Sequence, residues 1–324
     1  MYRNNTVSVV VPVYNGENLI DQTIQGISDY IDFIVIVDDC SSDKTAEKVK
    51  ESISENHRII YIRHETTLGI GAAIRTGYIW CRDHDADIAV VMNCDFSMNP
   101  EDIPNLLDPI VDNHADYTKG NRLITGEAWQ KLPHIRYIGD SFLTLMTKIV
   151  SGYWHVTDSQ SGYTAMSKKV LHLIPIENIY HGYGYQNDIL VRLNIYNFRV
   201  MDISINPEYG AVENRGTRFY TILFPVLLLP LRLFFRRMFQ KYVVRDFHPL
   251  IFFYAMGIII MLVDIPIIIR LFLQWRITGF IPTINTLAIL FCTFTSLQFI
   301  LFAMLFDMEA NKELKGNDNH THSC

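Results

Sequence analysis

Paired cysteines are missing from this chain. Its 324 residues hold five cysteines, Cys40, Cys81, Cys94, Cys292 and Cys324, with no C-x-x-C and no paired spacing. That argues against a disulfide framework and a zinc site, and favours a reducing compartment for the front of the chain. No G-x-G-x-x-G follows the first apolar run, which weakens a dinucleotide-binding reading. The segment Met1 to Thr6 leads into only five apolar residues, too few for a signal-peptide core, so the front is expected to stay in the cytoplasm. Excess positive charge is absent as well: the net charge is −6, and no nucleic-acid partner is expected.

The overall charge hides a division. Up to Asn214 there are 17 basic and 28 acidic residues; from Arg215 onward there are 11 and 6. Hydrophobicity changes at the same place, from short apolar runs between polar turns to long oily stretches, as if the solvent changed from water to lipid. The expected organisation is a soluble domain over 1–214 and basic juxtamembrane helices over 215–248. Two transmembrane helices over 249–307 (about 249–273 and 287–306) and a polar cytoplasmic tail over 308–324 would follow.

In the front domain, Val7 to Val11, Phe33 to Val37, Ile59 to Ile62 and Ile88 to Met92 read as buried strands. Helix-length segments lie between them, at Glu17 to Asp29, Thr45 to Ser54 and Gly71 to Arg82. Such alternation predicts an α/β fold with a doubly wound, mainly parallel sheet. The strand ends are polar, and open α/β sheets bind ligands at their carboxyl edge. Asn93-Cys94-Asp95 ends one strand, and a carboxylate there suits Mg²⁺ or Mn²⁺ shared with a substrate diphosphate; taken alone, the motif is better explained as a turn before the helix at Pro100. Asp38 could accept a hydrogen bond from a base or ribose, whereas Asp43 fits a helix N-cap. Gly69, Gly71 and Arg75 open a helix. Its N–H groups could face phosphate, or its glycines could serve close helix–sheet packing.

These motifs together resemble the family 2 glycosyltransferases of the GT-A fold. They are Pro-Val-Tyr-Asn at Pro12, Val-Asp-Asp-x-Ser-x-Asp at Val37, Leu-Gly-x-Gly-x-Ala-x-Arg-x-Gly at Leu68 and the acidic strand end at Asp95. The likeness is greater to the dolichol-phosphate or polyprenyl-phosphate sugar synthases, and it runs over nearly the whole chain. The resemblance implies that Pro12, Tyr14, Asn15, Glu17 and Asp38 hold a nucleotide sugar, with Gly69, Gly71 and Arg75 nearby. It implies that Asp95 binds the metal–diphosphate. Asn93 stands where the family's first D-x-D aspartate would be, and Ser97 where many relatives have Gln.

Further along, Asp116 to Arg122 resembles the family's Lys-Gly-Asn-Arg strand, and the planar donors of Arg122, with those of Arg136, could grip an acceptor phosphate. A solvated surface ion pair is the other reading of both. Asp158-Ser159-Gln160-Ser161-Gly162 matches the family's Asp-x-Gln-Ser-Gly segment. The resemblance places Asp158 and Arg122 at the reaction centre and Gln160 and Ser161 near the acceptor phosphate. A phosphate monoester has a second pKa near ~6 and is already an anionic nucleophile at neutral pH. Asp158 could therefore be a base, an orienting group or a stabiliser of positive charge at the sugar carbon. Gln186 replaces the acid of a Glu-x-Asp site, and Asp188 suits a helix N-terminus as well as catalysis.

Phe219 to Phe235 is very apolar but interrupted by Pro225, Pro230 and Arg232, and it is expected to lie in the interface with its cations near anionic lipid heads. Pro249 to Leu273 and Leu287 to Phe306 are long enough to cross a ~30 Å core. Arg236, Arg237, Lys241 and Arg245 before the first span, and Lys312 and Lys315 after the second, put both ends in the cytoplasm. Asp264 within a span pairs with Arg270, lies near the far interface, or is functional. The expected activity is inverting transfer of a sugar from a UDP- or GDP-linked donor to a polyprenyl or dolichyl phosphate, with Mg²⁺ or Mn²⁺. The alternatives are a transferase that extends a lipid-linked glycan and a non-catalytic nucleotide-sugar scaffold. A processive synthase fits poorly, since no Gln-x-x-Arg-Trp occurs and the spans are few. A homo-oligomeric assembly is left open.

Overall fold

The computed structural model describes residues 1–95, 98–122, 134–205 and 219–316. They form two compact units, one of residues 1–234 with 313–324 and one of residues 235–312. The expected boundary at 214 lies outside the described residues.

The first unit is built on a seven-stranded sheet of order β3-β2-β1-β4-β6-β5-β7. Its strands are β1 (Val7–Val13), β2 (Phe33–Asp38), β3 (Ile59–Arg63), β4 (Ile88–Val91), β5 (Tyr117–Asn121), β6 (Thr164–Ser167) and β7 (Val200–Ser204). The β-branched runs form the central strands because helices cover both faces, so every position on β1 is buried. Alternation assigns the residues to faces. Val7, Val9 and Val11 enter one core with Ile34, Ile36, Val90 and Leu106, while Val10 enters the other with Val35, Ala73, Ile74 and Tyr78. Helices α1 (Ile20–Gly26), α2 (Thr45–Glu55), α3 (Ile70–Asp83) and α4 (Ile103–Val111) connect the strands. Gly77 lets α3 lie directly on β1, since a Cβ there would run into the Val10 side chain.

All pairings are parallel except those of β6, which runs antiparallel to both β4 and β5. Val91 of β4 and Lys119 of β5 both face Thr164, the first residue of β6. The segment leading into β6 therefore arrives at the edge where β4 and β5 end. Helices α5 (His134–Ser151), α6 (Lys168–Leu173) and α7 (Tyr185–Ile195) complete the layers. A long helix α8 (Phe219–Phe239) follows, and its Leu229 and Leu233 pack on Val150 of α5 and Val191 and Ile195 of α7. Leu228, Leu231, Phe235 and Phe239 remain exposed at helical spacing, an apolar stripe suited to lipid.

The second unit is dominated by two helices, α9 (Leu250–Thr278) and α10 (Thr283–Ala310), each long and apolar enough to cross a membrane. Gly279, at φ +72°, makes the turn between them. Ser296 Oγ donates to the Gly257 carbonyl at 2.8 Å, a close helix–helix approach of the kind small residues allow. Asp264 accepts from Thr293 Oγ1 at 2.7 Å, so its hydrogen-bond partner lies across the hairpin. A stretch of π-helix at Gln240–Arg245 precedes α9.

Arg237 and Lys241, counted above among the cations flanking the first span, are buried. Arg237 grips Asp307 with two hydrogen bonds of 2.8 and 2.9 Å, and both residues are wholly excluded from solvent. Tyr242 Oη donates to the same carboxylate at 2.6 Å, and Lys241 donates to Asn311 Oδ1 at 2.7 Å. A carboxylate in α10 thus recruits these basic residues to close the base of the hairpin. Asp307→Leu leaves Arg237 buried without its counter-charge and is expected to cost about 3–5 kcal/mol, seen as a lowered thermal midpoint in detergent. The double change Arg237→Met with Asp307→Leu should recover most of that loss.

Candidate functional site

The carboxyl edge of the sheet is knitted from its loops. At Asn15 the backbone turns left-handed (φ +51°), so its N–H reaches Ser41 Oγ and its Oδ1 accepts from Ser42 N–H, both at 2.9 Å. Glu17 Oε2 accepts from Lys44 N–H at 3.0 Å, and Glu17 N–H donates to Asp43 Oδ2 at 3.1 Å. Asp43 Oδ1 also accepts from the Thr45 N–H, so it serves the start of α2 as an N-capping residue would. Pro12 is buried within β1, whereas Tyr14 stands 45 % exposed at the edge.

Asp38 is fully buried, accepting from Ser41 N–H at 2.8 Å and Tyr61 Oη at 2.7 Å, with Arg63 Nε at 3.5 Å. In this state it shapes the loop with both oxygens. Its neighbour Asp39 accepts from His64 Nδ1 and from the N–H groups of Leu68 and Gly69, each at 2.8 Å. Burial pushes the Asp39 carboxyl up, but those donors outweigh it and hold it below the usual range. Gly69 has φ +99°, and the Gly71 N–H donates to the His181 carbonyl at 2.8 Å. A Cβ at Gly71 would overlap the backbone carbonyls of Tyr180 and His181. Close packing therefore accounts for Gly71, and its N–H is already engaged. Arg75 reaches the Glu177 carbonyl and the His181 ring.

Asn93 follows β4, and its N–H meets Met98 Sδ at 3.2 Å. Its Oδ1 is buried without a hydrogen-bond partner among the described residues. Asp95, two residues on, is partly exposed. Ser97 lies outside the described residues. Among those described, no three His, Cys, Asp or Glu side chains converge on one point. Mg²⁺ in phosphate sites is commonly held by one or two carboxylates plus substrate oxygens, so Asp95 with the unpartnered Asn93 Oδ1 fits such an ion.

Across the edge, Arg122 and Asp158 form a bidentate ion pair, Nε to Oδ2 at 2.8 Å and Nη2 to Oδ1 at 3.2 Å. Asp158 Oδ1 also accepts from the N–H groups of Gln160 (3.3 Å) and Ser161 (3.1 Å). Burial raises this carboxyl, yet Arg122, with Lys119 assisting, holds it below the usual range. The Gln160 amide donates to Ser159 Oγ at 2.9 Å, and Ser161 Oγ accepts from Tyr163 N–H. A Cβ at Gly162 would lie 3.6 Å from Asn93 Nδ2, so the metal-side and Asp158 segments adjoin. The backbone of Arg136 lies in α5, while its side chain is outside the described residues. Asp188 is buried and accepts from Tyr180 N–H and Arg192 Nε at 2.9 Å each. Sequence reasoning missed the buried Lys119, Asp39 and Asp202; an isolated lysine inside a strand run was the available signal for the first.

A mixed sheet of this order, with acidic and amide groups at its carboxyl edge, has the GT-A architecture. Residues 8–174 match the profile of glycosyl transferase family 2, and the chain belongs to that family. It is 31% identical over 181 residues to the UDP-N-acetylglucosamine–dolichyl-phosphate N-acetylglucosaminyltransferase of Methanococcus voltae, covering 52% of this chain and 72% of that one. It is 27% identical over 202 residues to the undecaprenyl-phosphate mannosyltransferase of Micrococcus luteus, covering 61% and 82%. The fold is similar to that of glucosyl-3-phosphoglycerate synthase from Mycobacterium tuberculosis, solved with Mn²⁺ and UDP. That match has a TM-score of 0.53 and 20% identity, and it covers 72% of this chain and 80% of that one.

Two outcomes test the site's construction. Gly71→Ala should destabilise the protein by about 1–3 kcal/mol through overpacking against backbone, read as a lower thermal midpoint. Asp158 has its folded-state pKa below its unfolded value, so its stabilisation is complete above the unfolded value and lost as pH falls through the folded one. Wild-type thermal stability should therefore decline below about pH 4, and Asp158→Asn should lower the midpoint at pH 7 while flattening that acid decline.

Proposed function

We propose that this glycosyltransferase moves a sugar from a UDP- or GDP-sugar to a polyprenyl or dolichyl phosphate, inverting the anomeric carbon. The product is a lipid-linked monosaccharide phosphate. The observation that carries the reading is the presence in one chain of the Arg122–Asp158 pair at the sheet edge and of two lipid-length apolar helices. Relatives named as dolichyl- and undecaprenyl-phosphate sugar transferases support it.

In this reading the loops around Tyr14, Asn15, Glu17 and Asp38 hold the nucleotide, and Tyr14 offers an exposed ring to the base. Asp95 and Asn93 Oδ1 would hold Mg²⁺ or Mn²⁺. When bound, the ion neutralises charge on the leaving nucleoside diphosphate. Arg122 turns part of its guanidinium to the acceptor phosphate and orients it. An oxygen of that phosphate forms the bond to the sugar carbon as the bond to the diphosphate breaks. The phosphate is already anionic at neutral pH, so Asp158 need not take a proton. Its carboxylate positions Arg122 and steadies positive charge at the sugar carbon. Exposed Arg245, Lys312 and Lys315 support, by the positive-inside rule, a catalytic unit on the cytoplasmic face with both ends on that side.

The test is full-length protein incubated with polyprenyl phosphate and a panel of labelled UDP- and GDP-sugars with Mn²⁺. A labelled, charged lipid product that falls at least roughly a hundredfold in Asp95→Ala supports the reading. Nucleotide-sugar binding without transfer to any acceptor would instead make the chain a scaffold. Product only with a preformed lipid-linked glycan would make it an extending enzyme.

A further inference from the structure

Lys119 lies in the middle of β5, 1 % exposed, and nothing in the proposed chemistry uses it. Its ammonium donates to the Ser161 carbonyl. Ser161 in turn gives its own N–H to Asp158 Oδ1, so the lysine holds the turn that wraps the carboxylate. The charged groups acting on it are Asp158 at the turn before β6, Asp202 of β7 and Arg122 after β5. Asp202 anchors the other side of the same turn. Its Oδ2 accepts from Thr157 N–H at 2.8 Å and from Asn121 Nδ2 at 2.7 Å. Two cations and two carboxylates thus form a balanced group at the sheet edge, with Arg122 the more exposed cation and Lys119 the enclosed one.

That balance matters when a phosphate arrives. A dianionic acceptor competes with Asp158 for the guanidinium of Arg122. A buried carboxylate that loses its only cation would be driven to protonate or move. We propose that Lys119 is a positioning residue, the fixed counter-charge that keeps Asp158 ionised and in place while Arg122 turns to the acceptor phosphate. It touches no substrate and acts through the Ser161 carbonyl and through Asp158. The inference rests on the transferase reading above, and burial, which pushes the Lys119 ammonium down to about 8, makes it testable by pH.

The sign distinguishes this role from a structural one. A lysine whose folded pKa lies below its unfolded value burdens the fold while charged, and that burden lifts as pH rises from about 8 toward its ordinary value. Lys119's contribution to stability therefore grows over that window, whereas its positioning role is lost. The assay uses full-length enzyme, saturating nucleotide sugar and varied polyprenyl phosphate. Wild-type kcat is expected to fall above about pH 8 while the thermal midpoint does not fall with it. In Lys119→Met, kcat should drop roughly a hundredfold, the scale of an ångström of misplacement, with KM for the nucleotide sugar little changed and the alkaline limb gone.

Lys119→Met combined with Asp202→Asn removes both charges and guards against a variant that merely fails to fold. A double variant with a near wild-type midpoint and low, pH-flat kcat supports the proposal. Recovery of wild-type kcat together with the midpoint would overturn it, as would a wild-type rate that stays flat to pH 10 or follows the midpoint. A wild type that transfers no sugar to polyprenyl phosphate would defeat the transferase reading itself, a separate result.

Discussion

The site depends on one strand running the wrong way. Parallel strands deliver only their carboxyl ends to one edge of a sheet, so a wholly parallel fold would draw that edge's groups from the same kind of loop. Because β6 is antiparallel to both β4 and β5, its beginning meets their ends. Asp158, Gln160 and Ser161 precede β6, while Asn93 and Arg122 follow β4 and β5. Reversal of a single strand is what lets the Arg122–Asp158 pair form beside the Asn93–Asp95 segment.

Buried charge is treated alike in the two units. At the sheet edge, Arg122 and Lys119 stand against Asp158 and Asp202, with backbone N–H and carbonyl groups adding further hydrogen bonds. At the base of the hairpin, Arg237 meets Asp307, and Tyr242 and Asn311 complete the carboxylate's shell. A charge removed from water is costly unless paired and hydrogen-bonded; both groups pair their charges, although Asp202 Oδ1 accepts no hydrogen bond among the described residues and burial raises that carboxyl. They differ in exposure. Arg237 and Asp307 are sealed, as suits a structural clasp, whereas Arg122 keeps about a third of its side chain in solvent and can reach a ligand.

Much of the architecture was readable in advance. The β-branched runs at Val7, Phe33, Ile59 and Ile88 became strands within a residue or two, since fully buried parallel strands need continuous apolar sequence. The two long apolar stretches became helices extended by a few residues at their ends. The motif residues Asp38, Asn93, Arg122 and Asp158 came to one sheet edge. Their partners were not readable: Arg122 with Asp158, Asp39 with His64, and Asp38 with Tyr61 are separated by 23 to 36 residues. The same holds for Arg237, which the sequence marks as a cation flanking the first span and the fold pairs with Asp307, 70 residues away.

By itself the sequence determined where strands, helices and spans lie and which side chains could carry chemistry, because periodicity, apolar length and residue type are local properties. Only the tertiary structure decided which charges are paired, which glycines are pressed against backbone, and that Lys119 sits enclosed beside Asp158. Those are decided by strand direction and register, which bring distant residues into a space from which water is excluded, and there a hydrogen bond or counter-charge is required for every buried charge.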